Sequence, residues 1–508
     1  MFRHYSLHNA SIPDVHPTKS SQTQPPQPTQ PPQPMPIDVL KNGLKQMKSE
    51  EERIKRDIDQ LEHHLKNVNI LSTDRKLISL TQIKEWLPIE PKDALSMVLR
   101  STPLMQVDQD PDKISQLEAR LFDVKLAENV TPSNQMYSGR CWMFAGLNTL
   151  RRSFIRSNKL KPNFELSQSY LFFWHYFEQY NYMLNLFYYD KTIGACERAD
   201  LLDKPLHDGG NWITFRRLVS KYGTIPKKLY RESWSTGHLA EMNKILCNLL
   251  RKDVKTCAAI IDEEEFKTIR DKRLKAVLHI LCSFMGLPPL GKAKCVLENV
   301  ENKLMRFEQT PLSFYNLLNK SIGIEYHIQV IHDPRSENNT WRTTQHQSLR
   351  GAREIYFNIC DMDVLCQLVL DSIRIQRGVW FACNMNEDVS ATHQGMSDGL
   401  YLPEKFINST NSDYNSLQMN KVDRMNWCRA RCNHAMLIVG VETKDGKCVS
   451  FNIENSWGTS GSNKGFYKMT VEWFKEHVYT IVVHRQLLKN VPPIPEKLPQ
   501  YPFFDIFG

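Results

Sequence analysis

The sequence predicts an α+β fold in two halves, helical first and β-rich second. Three observations carry this. Behind Cys141, apolar residues Phe144, Leu147, Leu150 and Phe154 recur at helical spacing, and an aromatic-rich helical pattern runs on to Tyr188. From about residue 354, strand-like runs such as the one starting at Val379 alternate with turns, and Asp445-Gly446 sits as a hairpin turn between two apolar-alternating runs. The chain has 508 residues, more than one compact core usually holds.

Residues 1–36 are rich in proline and glutamine, cannot bury a core and are expected to be disordered. Residues 37–70 space apolar positions by three and four, from Ile37 and Leu40 to Leu65 and Val68, with Glu51 the one break. That spacing predicts a coiled-coil helix. Residues 71–235 hold a linker region and then the helical half with Cys141. Within it, Asp208-Gly209-Gly210 precedes a helix from Trp212 to Tyr222. The two glycines let a peptide backbone approach closely, or simply form the turn before the helix. Residues 236–345 are charged and helix-favouring and predict a helical insertion. Residues 346–490 form the β-rich half. Residues 491–508 are extended and proline-rich, and Tyr501, Phe503, Phe504 and Phe507 argue against free solvation there.

The chemistry concentrates at two places. Cys141 stands where loop becomes helix, so its sulfur faces the positive end of a helix dipole, which favours the thiolate. Gln135, upstream in the loop, carries an amide able to donate to a developing oxyanion. In the second half, a tight turn at Asp445-Gly446 pairs Lys444 with Lys447 and, counting outward, Met436 with Asn455 and His434 with Trp457. All four then share one face, and His434 and Asn455 become diagonal neighbours. An amide on an apolar strand face needs a partner, and the imidazole is at hand. Cysteine, histidine and asparagine are the parts of a nucleophilic triad.

The runs SGRCWMFAGLNTLR, FELSQSYLFFW, DGGNW, KYGTIPK, TPLSFY and ENSWG, in this order, resemble the papain-like cysteine peptidases, and within them the bleomycin hydrolase family. The resemblance runs from about residue 70 to the C-terminus. It implies a papain-like two-subdomain fold, with a helical half and a β-barrel-like half. Compact members separate cysteine and histidine by roughly 130–150 residues, so the longer separation here requires the insertion. It further implies hydrolysis of peptides near a free N-terminus through a thioester on Cys141. His434 would act as acid and base, Asn455 would orient it, and Gln135 with the Cys141 N–H would form the oxyanion hole. Gly209, Gly210 and the Asn433 carbonyl would hold the substrate main chain, and Trp457 would shield the His–Asn bond. Family members place their own C-terminus in the cleft, here Gly508, and assemble as homohexamers. This chain stops at Gly508 where the family continues, which predicts a shorter arm and release of dipeptides or longer pieces. No metal and no organic cofactor is expected.

The remaining bounds are weaker. A net charge of +9 fits a mildly basic surface, and weak nucleic-acid binding stays open because some relatives have a positive inner channel. The twelve cysteines show no CxxC pair or metal-ligand spacing, and no signal-type apolar segment leads the chain. Reduced thiols and a cytoplasmic location are the expectation. No run of eighteen apolar residues suggests a membrane span. The alternative reading is a papain-fold module that binds nucleic acid or protein with vestigial peptidase activity.

Overall fold

The computed structural model describes residues 80–86, 98, 100–102, 109–344, 354–401, 419–427, 430–501, 505 and 507. The proline/glutamine-rich tail, the heptad helix of residues 37–70 and Gly508 lie outside the described residues. The chain divides into two units, Met1–Thr102 and Pro103–Gly508. In the first, the described residues include helix α1 (Leu80–Trp86).

The second unit begins with α2 (Pro111–Glu118), whose first N–H groups are capped by the Asp110 carboxylate, and the short strand β1 (Val124–Lys125). Next comes α3 (Cys141–Asn158), which ends where Lys159 turns left-handed with φ 49°. In α4 (Gln168–Tyr189) the Ser167 hydroxyl caps the Tyr170 N–H, and most of the helix is buried. Then follow α5 (Ala195–Asp203), α6 (Trp212–Tyr222), α7 (Trp234–Gly237), α8 (Ala240–Ala258) and α9 (Glu263–Met285). Three glutamates in the first turn of α9 face the positive end of its dipole. Both α8 and α9 pack on α4. Its aromatics stack at both ends: Trp174 on Tyr222 at 4.3 Å, and Tyr188 on Phe266 at 3.8 Å.

Residues 236–345 are not helical throughout. From β2 (Ala293–Glu298) and β3 (Leu304–Gln309), an antiparallel hairpin, the segment passes to α10 (Pro311–Asn319), β4 (His327–Ile331) and β5 (Thr340–Thr344). High charge hid the period-two burial of Cys295 and Leu297 in β2. Because β4 and β5 belong to the large sheet, the β-rich half starts at His327, not at residue 346.

That half continues with β6 (Ile355–Asn358), α11 (Met362–Arg374), β7 (Val379–Cys383), β8 (Val389–Ser390), β9 (Gly395–Met396) and α12 (Lys421–Asn426). It closes with β10 (His434–Lys444), β11 (Lys447–Glu454), β12 (Phe466–Thr470), α13 (Val471–His477), β13 (Val478–His484) and β14 (Gln500–Tyr501). The sheet order is β14-β5-β6-β4-β13-β7-β10-β11-β12-β9-β8, with β1 added beside β10. Helix α3 packs directly on β10, so the two halves meet where the cysteine helix touches the histidine strand. No described helix is long and apolar enough to cross a membrane.

Candidate active site

Cys141 is the first residue of α3, buried at 7% exposure. The sulfur accepts the Ala435 N–H at 3.3 Å, which sets it against β10 beside His434. His434 opens β10 and pairs across to Cys383 of β7. Its Nε2 lies 2.8 Å from Asn455 Oδ1. The same oxygen lies 2.8 Å from the Ser456 backbone N–H, which can only donate. Oδ1 is therefore the acceptor for both, the imidazole proton sits on Nε2, and Nδ1 is left to take a proton. The Trp457 ring covers the imidazole at 4.9 Å between centroids and itself meets Tyr467 edge-on at 5.7 Å.

Gln135 joins the site through the residue after the asparagine. Its backbone N–H donates to the Ser456 carbonyl at 2.8 Å, and the Ser456 hydroxyl donates to its Oε1. That bond fixes the amide orientation, so Nε2 is the donor end. One of its hydrogens goes to the Ser138 carbonyl at 2.5 Å, leaving the second for an incoming oxyanion.

Cys141 and His434 open onto a cavity of about 800 Å³ whose wall includes Gly209, Gly210 and Asn433. Gly210 has no room for a side chain: an added Cβ would lie 2.6 Å from the Trp142 ring. Gly209 is less constrained, with His207 at 3.3 Å from such a Cβ. The Asn433 side chain is used structurally, accepting from the Met385 N–H at 2.8 Å and donating to Asn386 at 2.7 Å. Asp505 and Phe507 of the C-terminal segment line the same cavity.

Burial governs the electrostatics. It pushes the Cys141 thiol up to about 11 and, partly offset by the Asn455 hydrogen bond, His434 down to about 4. Each charge alone is disfavoured in this cleft. A thiolate beside an imidazolium shares the cost between two opposite charges, so the pair carries one proton over a wide range.

Sequence reasoning passed over three contributors. Ser456 sets the Gln135 amide. Asp208 accepts the Gly139 N–H through its carboxylate and the Trp142 indole N–H through its carbonyl at 2.8 Å, holding the loop before Cys141. Glu454, fully buried, receives Arg151 at 2.9 Å, Arg152 at 2.6 Å and Asn148 at 3.0 Å from α3. The two arginines read as ordinary charges along the helix; only once they are buried does the pair of cations require a carboxylate.

The peptidase C1-like family model matches residues 83–496. Aminopeptidase C of Lactococcus lactis subsp. cremoris is 31% identical over 365 residues, covering 70% of this chain and 81% of its own. Human bleomycin hydrolase is 33% identical over 381 residues, covering 71% of this chain and 80% of its own.

The chain belongs to the bleomycin hydrolase family of C1-like peptidases.

Among solved structures of the family, PepW from Lactobacillus rhamnosis HN001 (DR20) superposes with a TM-score of 0.74 at 28% identity, covering 83% of this chain and 94% of its own. The fold is therefore papain-like and the protein is a cysteine peptidase. Membership of this family disfavours the reading as a binding module with vestigial activity.

Proposed function

We propose that this protein is an aminopeptidase that cleaves peptide bonds near a free N-terminus through a thioester on Cys141. The observation that carries the reading is the cleft itself. A sulfur 3.3 Å from the amide next to His434, an imidazole held by Asn455, and the chain's own Asp505 and Phe507 share one cavity.

Cys141 Sγ attacks the scissile carbonyl carbon while His434 Nδ1 holds its proton. The carbonyl oxygen, now an oxyanion, takes the second Gln135 Nε2 hydrogen and the Cys141 N–H. His434 then gives the proton to the leaving amine, and the C–N bond breaks to leave the thioester. Water, deprotonated by His434, attacks the thioester carbon and releases the acid and the thiol. Asn455 keeps the imidazole in the tautomer each step needs. Gly209, Gly210 and the Asn433 carbonyl hold the substrate main chain, and Trp457 keeps water from the His–Asn bond. The C-terminal arm fills the amino side of the cleft, and Gly508 meets the substrate amine.

The reading extends to a homohexamer in the cytoplasm. The family resemblance supports the assembly, and the described cysteines, all free, suit a reducing compartment.

Free and N-acetylated versions of one peptide test the proposal. The free peptide is expected to be cleaved and the acetylated one resisted, with both inert to Cys141→Ala. Equal cleavage of the two would end the aminopeptidase reading and leave the peptidase chemistry standing. A native mass other than six subunits would remove the hexamer.

A further inference from the structure

Asp388, Asp398 and His477 bring two carboxylate oxygens and an imidazole nitrogen within 4.8 Å of one another. The three come from separate places: the loop after β7, the loop after β9, and the last turn of α13. No sequence spacing announces such a set, which is why the sequence led to an expectation of no metal.

The histidine distinguishes this cluster from a merely acidic surface. His477 is only 2% exposed, and its Nδ1 has no hydrogen-bond partner among the described residues. A buried imidazole nitrogen without a partner is destabilising. Trp473 packs against the ring at 4.9 Å and offers it no donor, because its indole N–H goes to the Glu387 carbonyl.

The carboxylates keep free acceptor capacity. The Asp398 carboxylate accepts no hydrogen bond and joins no ion pair among the described residues; only its backbone carbonyl is used, by Lys113. Asp388 accepts the Gly399 and Tyr401 N–H groups at 3.1 Å, one on each oxygen, which leaves a lone pair on each. The cations around them are engaged elsewhere. Lys113 donates to the Asp398 carbonyl, Arg424 pairs with Glu476 at 2.9 Å, and Lys421 donates to the Lys475 and Val478 carbonyls. Burial holds both carboxyls above their ordinary value, and at Asp398 the charge of Asp388 adds to it.

We propose that Asp388, Asp398 and His477 bind one divalent first-row transition-metal ion. An imidazole with two carboxylates suits Mn²⁺, Fe²⁺, Co²⁺ or Zn²⁺ over Mg²⁺ and Ca²⁺, which take oxygen alone. The ion stands outside the peptidase chemistry. It joins the end of α13 to the segment after β7, where the Asn384 N–H bonds the His477 carbonyl at 2.9 Å and the Asn433 amide reaches Asn384 at 3.3 Å. Asn433 precedes His434, so the ion braces the wall behind the imidazole.

Mn²⁺ is the probe of choice, because thiolates of the many cysteines compete for Zn²⁺ but little for Mn²⁺. Loss of the free Mn²⁺ electron paramagnetic resonance signal, titrated against the full-length chain, reads the stoichiometry. One ion per chain is expected, weakened tenfold or more in Asp398→Asn and in His477→Gln. Asp398 is partly exposed, so its variant is expected to keep the metal-free melting temperature of the parent, which separates lost binding from lost folding. Absence of binding at millimolar Mn²⁺, or undiminished binding in a folded Asp398→Asn, would overturn the assignment.

Discussion

Ser456 and Gln135 show how much rests on single hydrogen bonds in this cleft. Removing the Gln135 amide takes away an oxyanion donor, and Gln135→Ala is expected to lower kcat about a hundred- to a thousandfold with little change in KM. Ser456→Ala leaves that amide in place, held only by its bond to the Ser138 carbonyl; one neutral hydrogen bond is lost, and the fall in kcat is expected to be about tenfold or less. Steady-state kinetics of both variants decide the point: an unchanged kcat in Gln135→Ala would remove it from the oxyanion hole. The pH profile follows from burial. His434 is pushed down toward about 4, so its protonation limits activity only below the ordinary histidine range. Cys141 is pushed up toward about 11, so loss of the shared proton limits it only above the ordinary thiol range. The kcat/KM curve is therefore expected to be a broad plateau, falling on the acid side well below pH 6.5. A descending limb centred on neutral pH would contradict this.

The β10–β11 hairpin was legible from the sequence, and it shows why. Asp445 and Gly446 take φ values of 53° and 77°, the double left-handed turn that this dipeptide favours, and Lys444 faces Lys447. The ladder then slips twice. Val449 is left over on β11 and Val439 on β10, and the two shifts cancel. Leu437 consequently faces Glu454, the pairing an uninterrupted count gives, and Asn455 still meets His434. The bulges themselves could not be read; the one at Val439 lies where β1 joins beside β10, with the Leu126 N–H on the Val439 carbonyl, a pairing no local pattern announces. Nor could the clamp between helix and strand, where Glu454 and the Arg151–Arg152 pair look like ordinary charges until α3 lies on the sheet. Its removal is a prediction at this scale. Glu454→Ala leaves two buried guanidinium groups without their carboxylate, holding only neutral oxygens of Ser133, Thr131 and Glu128, a loss of about 3–5 kcal/mol. A melting temperature lowered by several degrees, together with lost activity, is expected by calorimetry. A variant melting like the parent would show that the arginines find other partners.

Across the whole molecule, the last segment of the chain is tied back to the β-rich half before it reaches the cleft. β14 pairs in parallel with β5, and the buried Tyr501 hydroxyl donates to Asp333 at 2.8 Å. Arg335 holds Asp333 at 2.9 Å and Asp505 at 3.1 Å, so one guanidinium bridges sheet and arm. Phe507 packs on Tyr501 at 5.2 Å. The aromatic content of residues 491–508 suggested docking, but the partners, Asp333 and Arg335, lie in a loop of the sheet that nothing in the sequence connects to the tail. Asp505→Asn removes the carboxylate that Arg335 holds on the arm while Asp333 and Arg335 stay paired, so the fold is expected to survive. A charge-assisted bond of this kind contributes about 1.5–3 kcal/mol, enough to raise the detached fraction of the arm roughly ten- to a hundredfold. With the arm away, the amino side of the cleft opens to a longer substrate. Cleavage of the N-acetylated peptide is therefore expected to rise about tenfold over the parent, still abolished by Cys141→Ala, while the free peptide loses part of its advantage. If the acetylated peptide stays as resistant as before in a folded Asp505→Asn protein, the Arg335 bridge does not govern the arm, and the selectivity for free N-termini must be set elsewhere in the cavity wall.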